Sequence, residues 1–544
     1  MKTKTNIFLL CCILLTGIAL SCQQTAGLPD ALFTRAEKTN YEETSLHADV
    51  MDFVTSLTQN SDIAKLEIIG SSKKGREIPL VIMADPPVNS PAEAQGSGKL
   101  IVYIQGNIHS GEVEGKEASM ELMRDIAFGH KGYLLENQIL LFVPIYNADG
   151  NDSLGAENRG SQEGSPVLTG TRSSGEGYDL NRDGLRIEAL ETKAMIKNVI
   201  NKWDPEMFYD LHTTNGTWHG YALTYAPGEH TAGHPATKEY LMENLFPEVS
   251  KKVLERSGID MFHYGGFRGY PPESMSGAPP QPRYITNSLS LKNKLSILVE
   301  TFAHDRFEKR ILSNTVFLTT CLEYSSTHSE EIREVARRSE SETIAEIKEQ
   351  AGTLQKGLSF RSVQRGEPQP LLVYIPGESY TDERGRRRTQ YTDKRVWIDN
   401  VRMMHDFEPT RTATVPRGYV FPAELKHVAE KLMEHGVEVQ TLDASATFAG
   451  EEFTVTGFTR QEREYQKHHM ASIEGSFSSA TKEMPPGSYL VDLAQPYAYL
   501  VFYMLEPEAD DGLTVWNYFD DLLIENGAET GPAPFPVFKY YEMK

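Results

Sequence analysis

Four short, mainly apolar runs give this chain its framework: 100–104 (LIVYI), 138–145 (QILLFVPI), 207–211 (MFYDL) and 295–299 (LSILV). Each is short for a helix and lacks the alternation of a half-exposed strand, so each predicts a strand buried on both faces. Two earlier runs, 64–69 and 78–84, are joined by Gly70-Ser-Ser-Lys-Lys-Gly75-Arg76 and predict a hairpin. Helical periodicity fills the intervals, over 40–59 (Tyr41, Val50, Phe53, Val54, Leu57) and after Glu112 (Ala118, Leu122, Met123, Ile126). It returns over 185–203, 236–256 and 305–354. Strands alternating with helices predict an α/β fold with a largely parallel sheet. Two stretches have no period: 151–177, rich in Gly and Ser, and 262–288, rich in aromatics, Gly and Pro. A structureless stretch as long as 151–177 inside a compact domain is often functional.

From residue 356 the pattern changes. Short strand candidates at 370–375, 396–401, 418–421, 437–442, 452–456, 489–493 and 499–503 surround one clear helix, 422–435. The expected organisation is therefore an α/β domain over 40–355 and a smaller β-rich α+β domain over 356–544, preceded by a tether at 23–39.

The charge balance narrows the function. With 54 Lys and Arg against 76 Asp and Glu, the formal charge is −22, which argues against a nucleic-acid partner because phosphate binding needs a basic face. The first 22 residues read as a targeting segment: Lys2 and Lys4, then an apolar run over 7–20, then Ala19-Leu20-Ser21-Cys22. A small residue before a cysteine at this point resembles a bacterial lipobox, with Cys22 as the lipidated first residue of the mature protein. That implies a membrane-anchored lipoprotein of the bacterial cell envelope, on its periplasmic or outer-surface face. The alternative is an ordinary signal peptide with an incidental cysteine. Cys11 and Cys12 would leave with the leader, and Cys321 stands alone in an apolar stretch, so no disulfide framework is expected.

Chemistry collects where the apolar runs end. The first is followed by His109-Ser-Gly-Glu112, the third by His212, and the fourth by Glu300. Open α/β sheets carry their sites at the carboxyl ends of strands. The His-x-x-Glu spacing by itself is weak, since it also occurs at His328/Glu331, His405/Glu408, His427/Glu430 and His435/Glu438. His328 and His427 lie in charged helical stretches, where a solvated face is the simpler reading. Only His109 follows a buried strand with glycines around it. Two imidazoles and a carboxylate make the three-ligand set of a catalytic zinc site, with one position left open. Glu300, between Val299 and Phe302, would be an expensive buried charge without a partner or a task. His212 alone reads equally well as a satisfied core histidine.

Together, His109-Ser-Gly-Glu112, Asn147-Ala-Asp-Gly150, Gly177-Tyr-Asp-Leu-Asn-Arg182, Asp210-Leu-His212 and Leu298-Val-Glu300-Thr301 resemble the zinc carboxypeptidase family, the M14 metallopeptidases, in sequence order. The resemblance covers roughly residues 40–350. It implies a mixed, mostly parallel eight-stranded sheet flanked by helices, and one Zn2+ per chain on His109, Glu112 and His212. It also implies Glu300 as general base and acid, Asp179 orienting a ligand histidine, and Asn181 with Arg182 gripping a terminal carboxylate. Arg172 best matches the arginine that polarises the scissile carbonyl, with Arg159 competing for the role. Tyr264, Tyr270 and Tyr284 are candidates for the family's mobile tyrosine. Gln495-Pro496, Leu505-Glu506-Pro507 and Asp511–Asn517 look like the C-terminal extension of large bacterial members. The implied activity is that of a zinc metallocarboxypeptidase acting on peptides with a free C-terminal carboxylate. Alternatives are a zinc amidohydrolase for peptidoglycan stem peptides or N-acyl amides, and a non-catalytic binding lipoprotein.

Overall fold

The computed structural model describes residues 27–544 apart from 161, 163–165, 382–384 and 386. The leader and Cys22 lie outside the described residues. Among the described residues, nine strands form the first part of the chain: β1 (Ala64–Ser71), β2 (Glu77–Met83), β3 (Leu100–Gly106), β4 (Gln138–Val143), β5 (Met207–Thr213), β6 (Leu223–Pro227), β7 (Met261–His263), β8 (Ser274–Ser276) and β9 (Leu295–Thr301). All but β8 join one eight-stranded sheet in the order β1-β2-β4-β3-β5-β9-β6-β7. The central strands β4, β3, β5 and β9 run parallel, as do β6 and β7, while β1/β2, β2/β4 and β6/β9 are antiparallel. This is the expected mixed, mostly parallel sheet.

The uninterrupted apolar runs have a simple cause. Leu100, Val102 and Ile104 of β3 point into a core shared with the helices Glu114–Phe128 and Phe307–Thr327. Ile101 and Tyr103 point the other way, into a core with Met195, Val199 and Trp203. Helices on both faces leave no side of these strands for water, and polar alternation disappears.

The same register sets up the site. β5 and β9 are parallel neighbours in which His212 pairs with Glu300 and Thr213 with Thr301, at the end where β3 also stops. Glu114, the first residue of its helix, accepts hydrogen bonds from the hydroxyls of Thr213 and Thr301 and lies 3.5 Å from Arg310 Nε. One buried carboxylate thus ties four elements together: its own helix, β5, β9 and the helix Phe307–Thr327. Glu114→Ala is expected to destabilise the protein by about 3 kcal/mol, read as a lower urea midpoint, because it removes one partner of a buried charge pair.

Several elements differ from the sequence reading. The helix expected from residue 40 begins at His47, because Asn40 and Tyr41 take left-handed φ angles of 52° and 63°. Residues 30–38, expected within a tether, form two short turns that pack on the body of the protein: Leu32 is fully buried and Glu37 pairs with Arg124 at 2.7 Å. β6 has no counterpart in the sequence reading, although Gly220 and Pro227-Gly228 bound it. The run 499–503 is not a strand but part of the helix Ala498–Leu505, every residue of which is buried. A short apolar run reads alike for a buried strand and a buried helix.

The later part of the chain is β-rich, as expected. Its largest sheet follows the order Gln440–Thr441, Tyr489–Asp492, Gly418–Phe421, Phe538–Met543, Ala446–Arg460, Ala471–Met484. Only two residues of the expected strand 437–442 pair. Its core takes in Leu185, Ala232, Leu291 and Ile347 from the first part, beside Tyr419 and Trp516. The two parts therefore bury apolar surface against each other. Among the described residues no helix is long and apolar enough to cross a membrane.

Candidate metal and peptide site

Beyond β3 the chain turns through Asn107 (φ 67°) and brings His109 and Glu112 onto one tight turn, closed by Glu112 N–H donating to the His109 carbonyl at 2.8 Å. His109 Nδ1 lies 3.0 Å from Glu112 Oε1, and His212 Nδ1 lies 2.9 Å from Glu112 Oε2 and 3.2 Å from His109 Nδ1. All three side chains are buried, and their ligand atoms fall within 4.8 Å of one another.

Each imidazole has a carboxylate at its other nitrogen. Asp179 Oδ1 is 3.0 Å from His109 Nε2, and Asp210 Oδ2 is 3.0 Å from His212 Nε2, the latter a close charge contact rather than an aligned hydrogen bond. Carboxylates at Nε2 favour a proton there and turn the Nδ1 lone pairs inward. Two inward lone pairs and a carboxylate this close call for a proton or a cation between them. The set therefore fits a divalent metal with two nitrogen donors, one carboxylate and an open position. Among the described residues no other three His, Cys, Asp or Glu side chains converge in this way. Two of the other His-x-x-Glu histidines bond the backbone instead: His427 Nε2 and His435 Nε2 each lie 2.8 Å from a backbone carbonyl, of Tyr518 and Leu185.

Burial works against charge on Glu112, yet His109 and Arg159 hold its carboxyl well below the usual range. Burial opposes charge on Asp179 too, and is outweighed by His109, Arg182 and Arg172. Glu300 goes the other way. Burial pushes it up to about 8, against the pull of His212 and with a push from Glu112.

These groups open on a cavity of about 710 Å³ lined by the three ligand candidates, Glu300, and the site residues Arg159, Arg172, Asn181 and Arg182. Asp179 starts the short 3-10 turn Leu180–Arg182, its carboxylate accepting from Asn181 N–H at 3.1 Å. Asn181 Oδ1 accepts from Ile285 N–H at 3.0 Å, and the Arg182 guanidinium stacks 4.4 Å over the Tyr284 ring. Tyr264 also faces the cavity, and the Glu300 carboxylate together with burial holds its hydroxyl well above the ordinary tyrosine value. Tyr270 is 44% exposed and does not line the cavity.

The loop 151–177 supplies both arginines. Arg172 Nε donates to Asp179 Oδ2 at 2.8 Å, and its Nη1 is 3.8 Å from Glu112. Arg159 Nη1 donates to Glu112 Oε1 at 2.7 Å, and Nη2 to the Thr213 and Thr214 carbonyls at 3.2 Å. Gly111 makes room for it, since a Cβ there would stand 2.3 Å from Arg159 Cγ. Asn147 Nδ2 donates to the Ile108 and Arg172 carbonyls, joining the loop to the ligand turn. Sequence reasoning assigns no task to Asp210 or Glu114. The signal for Asp210 is a lone charge inside the apolar run MFYDL.

A buried His-Glu-His set, a carboxylate and cations at the carboxyl edge of such a sheet define a metallopeptidase. Residues 50–183 match the zinc carboxypeptidase family model, and the chain resembles that family, the M14 metallopeptidases. Carboxypeptidase 2 of Trichophyton rubrum is 25% identical over 474 residues, 83% of this chain and 80% of that one. Probable carboxypeptidase 2 of Arthroderma benhamiae is 25% identical over 482 residues, 84% of this chain and 82% of that one. Among solved structures, a metallo-carboxypeptidase from Burkholderia cenocepacia aligns with a TM-score of 0.39 at 17% identity, covering 52% of this chain and 69% of that one. The relatives correct one expectation, that of a lipid-anchored protein of the bacterial cell envelope. The carboxypeptidases that match over four-fifths of the chain come from the fungi Trichophyton and Arthroderma. A basic start, an apolar run and a small residue before a cysteine report how a leader partitions into a membrane, not the kind of cell it comes from.

Proposed function

We propose that this chain is a zinc-dependent metallocarboxypeptidase that hydrolyses the C-terminal peptide bond of peptides. One observation carries the reading: a two-histidine, one-carboxylate set and an Asn181–Arg182 pair suited to a carboxylate line the same cavity. The names of the fungal relatives support the same class of bond.

His109, Glu112 and His212 would hold the zinc, with Asp179 fixing His109 and Asp210 facing His212. Bound zinc supplies Lewis acidity, which polarises a carbonyl and eases the ionisation of water. Arg182 and Asn181 receive the substrate's terminal carboxylate, a task that suits the planar guanidinium fork better than an ammonium. The Tyr284 ring beneath the guanidinium holds it in plane. Glu300 takes a proton from the attacking water at Oε2, a buried oxygen with no hydrogen-bond partner among the described residues, and returns it to the leaving amine. Arg172, its side chain 41% exposed, is the freer of the two loop arginines and stabilises the oxyanion as it forms. Arg159 is anchored to Glu112 and two carbonyls, and acts as a clamp on that ligand.

The first test of the substrate reading is Arg182→Ala, assayed on an N-acylated peptide with a free C-terminus. KM is expected to rise by about 10- to 100-fold with kcat falling less, since a charge-assisted contact to substrate is removed. Unchanged KM would sink the carboxylate grip. Asp179→Asn is expected to weaken zinc binding by about 10- to 100-fold in competition with a chelator, as loss of a carboxylate behind a ligand histidine does elsewhere. Equal affinity in the variant would remove Asp179 from that role.

A further inference from the structure

The carboxylate-reading residues sit on two stretches with little regular structure, 178–188 and 281–285, which no sheet ladder fixes. The two meet where Ile285 N–H donates to Asn181 Oδ1 at 3.0 Å, Gly184 N–H donates to the Arg283 carbonyl at 2.8 Å, and Arg182 stacks on Tyr284. Behind this junction, on the side away from the cavity, each stretch places one arginine against the same indole. Arg186 lies 4.2 Å and Arg283 5.1 Å from the fully buried Trp516 ring. Trp516 Nε1 donates to Asp511 Oδ1 at 3.1 Å, and Asp511 in turn pairs with the Arg283 guanidinium at 2.7 Å and accepts from Arg283 N–H at 2.7 Å. Arg186 Nη2 donates to the carbonyl of Arg182 itself at 3.0 Å.

The tip of the long C-terminal hairpin holds the other end of the first stretch. Gln466 Oε1 accepts from Asp179 N–H at 2.9 Å, and the Gln466 carbonyl accepts from Arg186 Nη1 at 3.1 Å. Gln466 and Lys467 both take left-handed φ angles, 51° and 66°. Consecutive left-handed residues other than glycine are strained, and they persist where surrounding contacts over-determine the backbone.

We propose that Trp516, with Asp511 and Gln466, is a positioning unit for substrate recognition: the β-rich C-terminal part sets the geometry of Asn181, Arg182 and Tyr284 from behind and thereby tunes affinity for the substrate's terminal carboxylate. Nothing in this unit touches substrate. Its effect passes through two guanidiniums, Arg186 fully buried and Arg283 partly so, that share one aromatic plate, so a shift of the plate moves both stretches together. Cation–π contacts with Trp are strongest when desolvated, as here. The inference rests on the reading of Asn181 and Arg182 as the carboxylate grip.

The test is steady-state kinetics of the full chain on the N-acylated peptide, with zinc content measured alongside. Trp516→Leu is expected to raise KM about tenfold with kcat changed less than about twofold and zinc content unchanged. Gln466→Gly suits the left-handed φ and sits at a hairpin tip, so it keeps the fold, and is expected to raise KM about threefold by orphaning Asp179 N–H. In an Arg182→Ala background either change should add less than about twofold, because residues that act through one another are not additive. Equal penalties in both backgrounds, or an unchanged KM in both single variants while Arg182→Ala raises it, overturns the proposal. If Trp516→Leu does not fold, the Gln466→Gly cycle decides alone. An unchanged KM in Arg182→Ala overturns the carboxylate grip, and the positioning role with it.

Discussion

Glu300→Gln is expected to lower kcat by about 10²- to 10⁴-fold, the range that a positioned general base contributes, while zinc content stays as in the parent protein. The amide keeps the volume and burial of the carboxylate at the end of β9 but cannot accept and return a proton. Single-turnover assays separate the chemical step from binding, and KM should move little because Glu300 makes no contact with the carboxylate grip in this mechanism. Turnover within a few-fold of the parent protein would remove Glu300 as the base. A second readout needs no substrate. In the metal-free protein burial holds the Glu300 carboxyl up near 8. A carboxyl raised above its unfolded value favours folding least once it is charged. That contribution is intact below the unfolded value, is lost as pH rises toward about 8, and changes no further above it. Metal-free Glu300→Gln should therefore melt higher than the metal-free parent at pH 9, and the gap should close toward pH 5.

His212→Ala is expected to abolish both zinc retention and activity. The parent protein, supplied with zinc, should hold about one equivalent per chain, as a set of three protein ligands with one open position does. Loss of a direct ligand should exceed the roughly 10- to 100-fold loss expected for an outer partner such as Asp179. Folding should survive in part: Ala at the end of β5 keeps the backbone pairing with β9, although it leaves the buried Asp210 and Glu112 without their imidazole partner and so costs stability. Metal content by mass spectrometry, with circular dichroism as the folding control, decides it. A variant that folds and still carries one zinc would show that the metal sits elsewhere, and the three-ligand reading would fall.

The two results divide the mechanism cleanly. Loss of turnover with metal retained assigns the proton transfer to Glu300, and loss of metal assigns the cradle to the imidazole at the end of the neighbouring strand. Their separation matters because the two residues are paired in register on the adjacent strands β5 and β9.

Much of this was determined by the sequence alone. Apolar runs of strand length flanked by helical periods fit buried strands under two helical layers, so β3, β4, β5 and β9 and the edge at which their chemistry collects were readable from local pattern. His109, Glu112, His212 and Glu300 were visible as candidates because they cluster at or just beyond the ends of those runs, and Glu300 also because a buried charge there is costly unless it is paired or has a task. The tertiary structure decided what local pattern does not encode. The run 499–503 is part of a helix whose burial is complete on every side, which erases the period that would have revealed it. Residues 40–46 turned away from a helix because Thr44 and Ser45 bond Glu117, some seventy residues on. Sequence put Arg172 ahead of Arg159 by resemblance alone, and where each stands could not be read from spacing, since their positions depend on where a long loop crosses Gly111 and the Asn147 turn. Gln466 meets Asp179 across 287 positions of sequence, and Trp516 meets Arg186 and Arg283 from similarly remote parts of the chain. Such contacts are fixed by the docking of one core on another, and that docking exists only once the chain has folded.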